Sequence, residues 1–242
     1  MSAAGASSEG WSPVEREDDD AGNELFLLSV FGRAVSFMWT VPRLFDDPSL
    51  VRYGAYPYAD GPGLIRSDDD DALLLGLQRP LALQMDVESG FLLQGVVPGS
   101  FAMRLQLPRR FEVSTRVSLL SDVSQANQGM AAASTSHVSY RFAQMRRAEF
   151  RTGVGLRNYT LGTIAWGIDV LYAVDAYLSR WSVIRAELHA GTLGSAFAAQ
   201  ARVTVGVMVK RCELYAGYDQ TAFFGPEKTA LGGPIAGIRA WF

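Results

Sequence analysis

The sequence predicts an all-β fold: an antiparallel up-and-down transmembrane-type β-barrel of about 10 strands, with an N-terminal amphipathic helix. Three observations predict it. Apolar and polar residues alternate through segment after segment from Gln78 to Phe242. The plainest case is Val203, Val205, Val207 and Val209 interleaved with Arg202, Thr204, Gly206, Met208 and Lys210. A period of two marks strands with one apolar and one polar face. Connections alternate between short basic turns and longer Gly-rich polar ones, the asymmetry of bacterial membrane barrels. The last strand runs to a terminal aromatic, Ile238-Arg239-Ala240-Trp241-Phe242.

Composition removes several other classes. The chain has 242 residues, 48% hydrophobic and 19% charged, slightly apolar for a water-soluble domain. It has no run of about 20 uninterrupted apolar residues, so spanning helices are not expected. Barrel strands escape that test, because only alternate residues face lipid. A net charge of −3 and acidic runs at Glu15 to Asp20 and Asp68 to Asp71 argue against nucleic acid as a partner. Cys212 is the single cysteine, so no intramolecular disulfide forms. No phosphate-binding Gly loop, zinc pattern or nucleophile elbow is present. Two histidines are few for a metal site without carboxylate help, and no cofactor is expected.

In chain order, residues 1–22 are rich in Ala, Ser, Gly and acid and read as a disordered tail. They contain no basic, apolar secretory leader, so export requires a start further upstream or a processed form. Residues 23–77 read as an amphipathic helix followed by an irregular acidic linker. Asn23 is placed to cap the helix. Leu27, Leu28, Phe31, Ala34, Val35 and Met38 share one face, and the helix is expected to end before Pro42. The linker holds Asp46-Asp47-Pro48 and Tyr56 to Gly63, dense in Pro and Gly. Its aspartate run lacks the spacing of a calcium loop.

Residues 78–242 read as the barrel. The strands are expected at Leu81 to Glu88, Phe101 to Leu107, Phe111 to Leu119, Thr135 to Phe142, Glu149 to Tyr159, Ala165 to Leu178, Ser182 to Ala190, Ala198 to Lys210, Glu213 to Asp219, and a last one ending at Phe242. Ser89 to Gly99, Ser121 to Ala133 and Gln220 to Gly232 read as long connections. Pro108-Arg109-Arg110, Met145-Arg146-Arg147, Ser179-Arg180 and Lys210-Arg211 read as the short basic turns.

Alternation alone does not say which face points inward. In a water-soluble sandwich or barrel the apolar face is inside; in a membrane barrel it meets lipid. The polar face here collects Gly153, Gly155, Gly167, Gly206, Gly217 and Gly237, small residues suited to a narrow, curved interior. It mixes Arg with Asp and Glu, while the whole chain has only two lysines, Lys210 and Lys228. The expected lumen-facing residues are Arg104, Glu112, Arg116, Arg141, Arg151, Arg157, Asp169, Asp175, Arg185, Glu187, His189, Arg202, Glu213 and Arg239. Such a set is expected to form a network that largely plugs the lumen, in a structural role or one passing small solutes or ions.

The terminal strand, with Ala236, Ile238, Ala240 and Phe242 at alternate positions, resembles the sorting signal of bacterial outer-membrane barrels. The resemblance implies outer-membrane localisation, contact with outer-membrane lipid and recognition of Phe242 by the barrel-assembly machinery. Tyr56 to Gly61, Phe150 to Arg157 and Leu214 to Asp219 look similar to uncharacterised bacterial barrel-like proteins; that likeness spans most of Tyr56 to Phe242 and carries no activity. Enzymatic alternatives rest on few residues. His137-Val138-Ser139 resembles the His-x-Ser of outer-membrane lipid A deacylases, with Ser139 as nucleophile, His137 as base and Glu149 placed to orient it. Tyr140 stands where that family has Asn, and the pair lies on the polar face. His189 and Asp219 resemble part of the aspartyl-protease site of ten-stranded outer-membrane barrels, without its Asp pair. No catalytic residue is assigned on either resemblance. A soluble barrel or sandwich acting as a binding module is the remaining alternative.

Overall fold

The computed structural model describes Arg33, residues 36–47, 50–52, 64–66 and 81–242, the last range except 94, 108, 123–130, 146, 162, 180, 210 and 226–228. The expected tail of residues 1–22 lies outside the described residues, as does most of the expected linker. Residues 36–44 are helical. The helix runs through Pro42 instead of ending before it. Pro42 costs one backbone bond, but it lies in the final turn, two residues before the helix finishes. Within the linker, β1 (Leu50–Arg52) and β2 (Leu64–Arg66) pair as an antiparallel ladder, which local composition concealed.

Ten strands form a closed antiparallel barrel: β3 (Ala82–Gly90), β4 (Val96–Gln106), β5 (Phe111–Asp122), β6 (Ala131–Met145), β7 (Ala148–Leu161), β8 (Thr163–Tyr177), β9 (Ser182–Leu193), β10 (Ala196–Val209), β11 (Cys212–Phe224) and β12 (Thr229–Trp241). Each pairs with its sequence neighbours. β12 returns to β3 from Ile235↔Gly90 to Trp241↔Gln84, and the ends are tied by Phe242 N–H to Leu83 O at 2.8 Å. Closure leaves no barrel strand with an unpaired edge.

The strands are longer than the alternation suggested, 9–15 residues, and the connections correspondingly shorter. Ser89-Gly90, Val96 to Ser100, Ser121-Asp122 and Gln220 to Phe224 all join ladders. Small and polar residues have weak strand preference, but ladder pairing overrides it, on one side at Val96 to Pro98 and Ser121-Asp122 and on both at Gln220 to Phe223. Pro98 and Pro234 enter strands because each lies just past the last residue paired on one side, where a missing N–H costs little. The strict alternation of long and short connections is not kept. One end has connections of five, eight, one, two and four residues; the other, which also carries both barrel termini, has four, two, four and two. The basic turns all fall at this second end, called the turn end below.

Burial follows the strand period with its usual sense inverted. Val87, Val154, Ile168, Val205, Leu214 and Ile238 are more than half exposed on the outside. Between them, Asp86, Arg104, Glu112, Arg151, Asp175, Arg185, Glu213 and Arg239 are buried inside. Among the described residues, register breaks at a β-bulge between Arg141 and Ala143, and there Phe142 is covered by Phe150 and Tyr172, with ring centroids 6.2 and 6.0 Å away.

Candidate functional site

The interior side chains join in one continuous chain of contacts. Arg104 meets Glu112 at 3.2 Å and Glu187 at 3.1 Å. Glu187 also takes Arg151 at 3.0 Å, and Arg151 reaches Asp175 at 2.8 Å. Arg185 bridges Asp175 and Glu213 at 2.7 and 2.8 Å; Arg239 bridges Glu213 and Asp86 at 3.0 and 2.7 Å. The Tyr215 hydroxyl lies 2.5 Å from Asp86 and 2.8 Å from Glu88, with the Arg239 guanidinium over its ring at 4.6 Å. Arg202 pairs with Glu88 and, at 3.4 Å, with Asp219. Gln200 donates to Asp219 at 2.9 Å and accepts from Arg157 at 3.4 Å, and Arg157 reaches Asp169 at 3.0 Å.

The cross-strand register produces this chain. Every participant sits at an inward position, and facing pairs such as Arg202↔Asp219, Glu213↔Arg239 and Asp175↔Arg185 place opposite charges side by side. Burying an isolated ion costs several kcal/mol, so such groups persist only when paired and hydrogen-bonded. Here Glu112, Asp175, Glu187 and Glu213 each touch two or more arginines, and Asp86 takes Arg239 together with the Tyr215 hydroxyl.

The two ends differ in chemistry. At the turn end Tyr177, Val183, Met208 and Trp241 form a buried apolar cluster, with Arg185 over the Trp241 ring at 5.6 Å. The opposite end opens into a cavity of about 140 Å³, with Leu92, Leu120, Phe223, Leu231 and Ile235 on its walls and Arg116, Arg157 and Arg202 among its polar lining. A smaller cavity of about 50 Å³ lies against His137, His189, Gln200 and Glu187.

At the end of the chain of contacts, both histidines converge on one carboxylate. His137 Nε2 is 2.7 Å and His189 Nδ1 is 2.8 Å from Asp169 Oδ2. Glycines make this possible. His137 on β6 faces Gly155 on β7, which in turn faces Asp169 on β8. A Cβ at Gly155 would lie 2.6 Å from the His137 ring, so only glycine lets the imidazole cross to the second strand over. Among the described residues this is the group whose His and carboxylate atoms lie close enough together to hold a metal ion.

No protein-family model and no curated protein matches the chain. Its site is therefore read from its own geometry.

The deacylase-like trio of His137, Ser139 and Glu149 is not assembled. His137 is engaged by Asp169, and Ser139 Oγ, almost fully buried, has no hydrogen-bond partner among the described residues. Glu149 faces Gln144 and Asp175, six positions along β7 from the residue opposite His137. Six strand residues span about 20 Å, too far to orient that imidazole. Asp219 is held by Gln200 and Arg202, apart from His189. Arg116 makes a longer pair with Glu187, 3.6 Å, and Arg141 turns toward the turn end, donating to Leu107 O at 3.4 Å. Sequence reasoning omitted Glu88, Gln200, Tyr215 and Asp219 from the interior set, although their parity in the strand pattern places them on the same face.

Proposed function

We propose that this chain is an outer-membrane barrel whose charged interior holds the lumen largely closed, serving as a membrane-embedded scaffold or a narrow, gated passage for ions or small solutes. The single observation that carries this reading is the inversion of the burial pattern. An apolar exterior wrapped around a buried ionic core is costly in water and favourable in lipid. The exterior is also zoned. Phe111, Tyr140, Trp181 and Phe242 are exposed toward the turn end; Phe91, Trp166, Phe197 and Phe224 are exposed toward the other. Between them lies an aliphatic band that includes Val113, Val154, Ile168, Val205 and Leu214. Two aromatic girdles flanking an apolar band are the exterior that a lipid bilayer favours. Strands of 9–15 residues reach or exceed the crossing length of tilted membrane strands, about 9–11 residues. The terminal β12, with Ile238 and Phe242 outward, supports recognition by the barrel-assembly machinery.

The test is fractionation of cells making the full-length product, followed by gel electrophoresis with and without boiling. The reading expects recovery in the outer-membrane fraction and migration that changes on heating, as a detergent-resistant barrel unfolds. Recovery in the soluble fraction would instead favour a water-soluble binding barrel.

A further inference from the structure

Both histidines of the chain, supplied by strands 52 positions apart, meet at a single carboxylate. Ordinary core packing has no need of that convergence, and three features give it the character of a ligand site. One ring nitrogen of each imidazole and one Asp169 oxygen all lie within 4.8 Å of one another. Arg157 occupies Asp169 Oδ1 at 3.0 Å, which fixes the carboxylate and leaves Oδ2 to the imidazoles. The neighbouring cavity of about 50 Å³ touches both histidines, and a water needs only about 10–15 Å³ of such space. Room therefore exists for water to complete a coordination shell.

We propose that His137, Asp169 and His189 bind one divalent transition-metal ion of the zinc class, bracing β6, β8 and β9 across the lumen. Two neutral imidazoles and one carboxylate form a donor set that such ions favour, with an open position left for water. Bonds to zinc of about 2.0–2.2 Å put tetrahedral ligand atoms about 3.3 Å apart. The present separations of 2.7 and 2.8 Å need to open by about half an ångström, which small side-chain rotations supply. The glycine at 155 keeps the path of the His137 ring clear while this happens. The site does not depend on what surrounds the barrel, so it stands or falls separately from the membrane reading.

Because the chain has only two histidines, their ring nitrogens report the site with no substitution among its three residues. The protein is prepared full-length and tag-free, carrying Cys212→Ser to remove the exposed thiol, with its histidines labelled with nitrogen-15. It is then titrated with Zn²⁺ in detergent. The expected result is saturation at one ion per chain, with both rings shifting together and Nε2 of His137 and Nδ1 of His189 taking metal-bound positions. His137→Gln and His189→Gln should each weaken binding at least tenfold. Absence of a saturable shift at millimolar Zn²⁺, or a shift of one ring alone, overturns the proposal even if neither variant folds.

Discussion

At the scale of single residues, the account turns on which side chains meet water and which meet each other. Val205 is about half exposed, facing outward between Ala216 and Ile184 of the neighbouring strands. On a water-soluble protein, Val205→Arg would change stability by no more than about 0.5 kcal/mol. Near a bilayer midplane it should cost about 2–4 kcal/mol, read as a lowered denaturant midpoint in lipid vesicles. Inside, Arg239 serves both Asp86 and Glu213. Arg239→Met removes the shared cation and leaves two buried carboxylates underpaired. A loss of about 3–5 kcal/mol is expected, seen as a drop in thermal midpoint; an unchanged midpoint would show that water reaches these carboxylates freely. The inward set of arginines and acids was legible in the sequence because strand parity alone assigns a face. Their partners were not. Pairing follows from register across several strands, and the bulge beside Arg141 has no signature in composition.

At the scale of elements, strand positions were legible and strand lengths were not. The alternation located all ten barrel strands, but stretches read as connections in fact continue the ladders, as at Val96 to Ser100 and Gln220 to Phe224. Local preference is weak beside ladder pairing. The His137–Asp169–His189 cluster was equally hidden, since it needs β6, β7 and β8 in register with glycine in the middle strand. β12 separates two roles in adjacent residues. Trp241 points inward and seals the turn end with Tyr177, Val183 and Met208; Phe242 points outward, and its backbone is bonded to Leu83. Trp241→Ala should cost about 3–5 kcal/mol of stability through the void it leaves. Phe242→Ala should leave the thermal midpoint nearly unchanged, because its side chain is more than half exposed, yet reduce the amount of folded protein recovered in outer membranes. Equal recovery of Phe242→Ala and wild type in membrane fractions would remove the assembly role of the terminal residue.

At the scale of the whole molecule, an ionic network runs through the barrel above an apolar plug. Opposite charges attract strongly where water is scarce, and a nearly balanced network holds itself together. In planar bilayers the unmodified protein should show no large, steady conductance. Arg202→Ala, which releases Glu88 and Asp219 beside the larger cavity, should lower thermal stability and bring flickering current. A large conductance in the unmodified protein, insensitive to this change, would make it a small porin lined by arginines. The central claim is simpler than any of these: the apolar exterior is built for lipid. Its most direct measurement is refolding of the urea-unfolded chain, diluted in parallel into buffer and into phospholipid vesicles. The account predicts a heat-modifiable, vesicle-floating barrel only where lipid is present, and aggregation in buffer alone. A soluble, monomeric barrel folded in lipid-free and detergent-free buffer would contradict it.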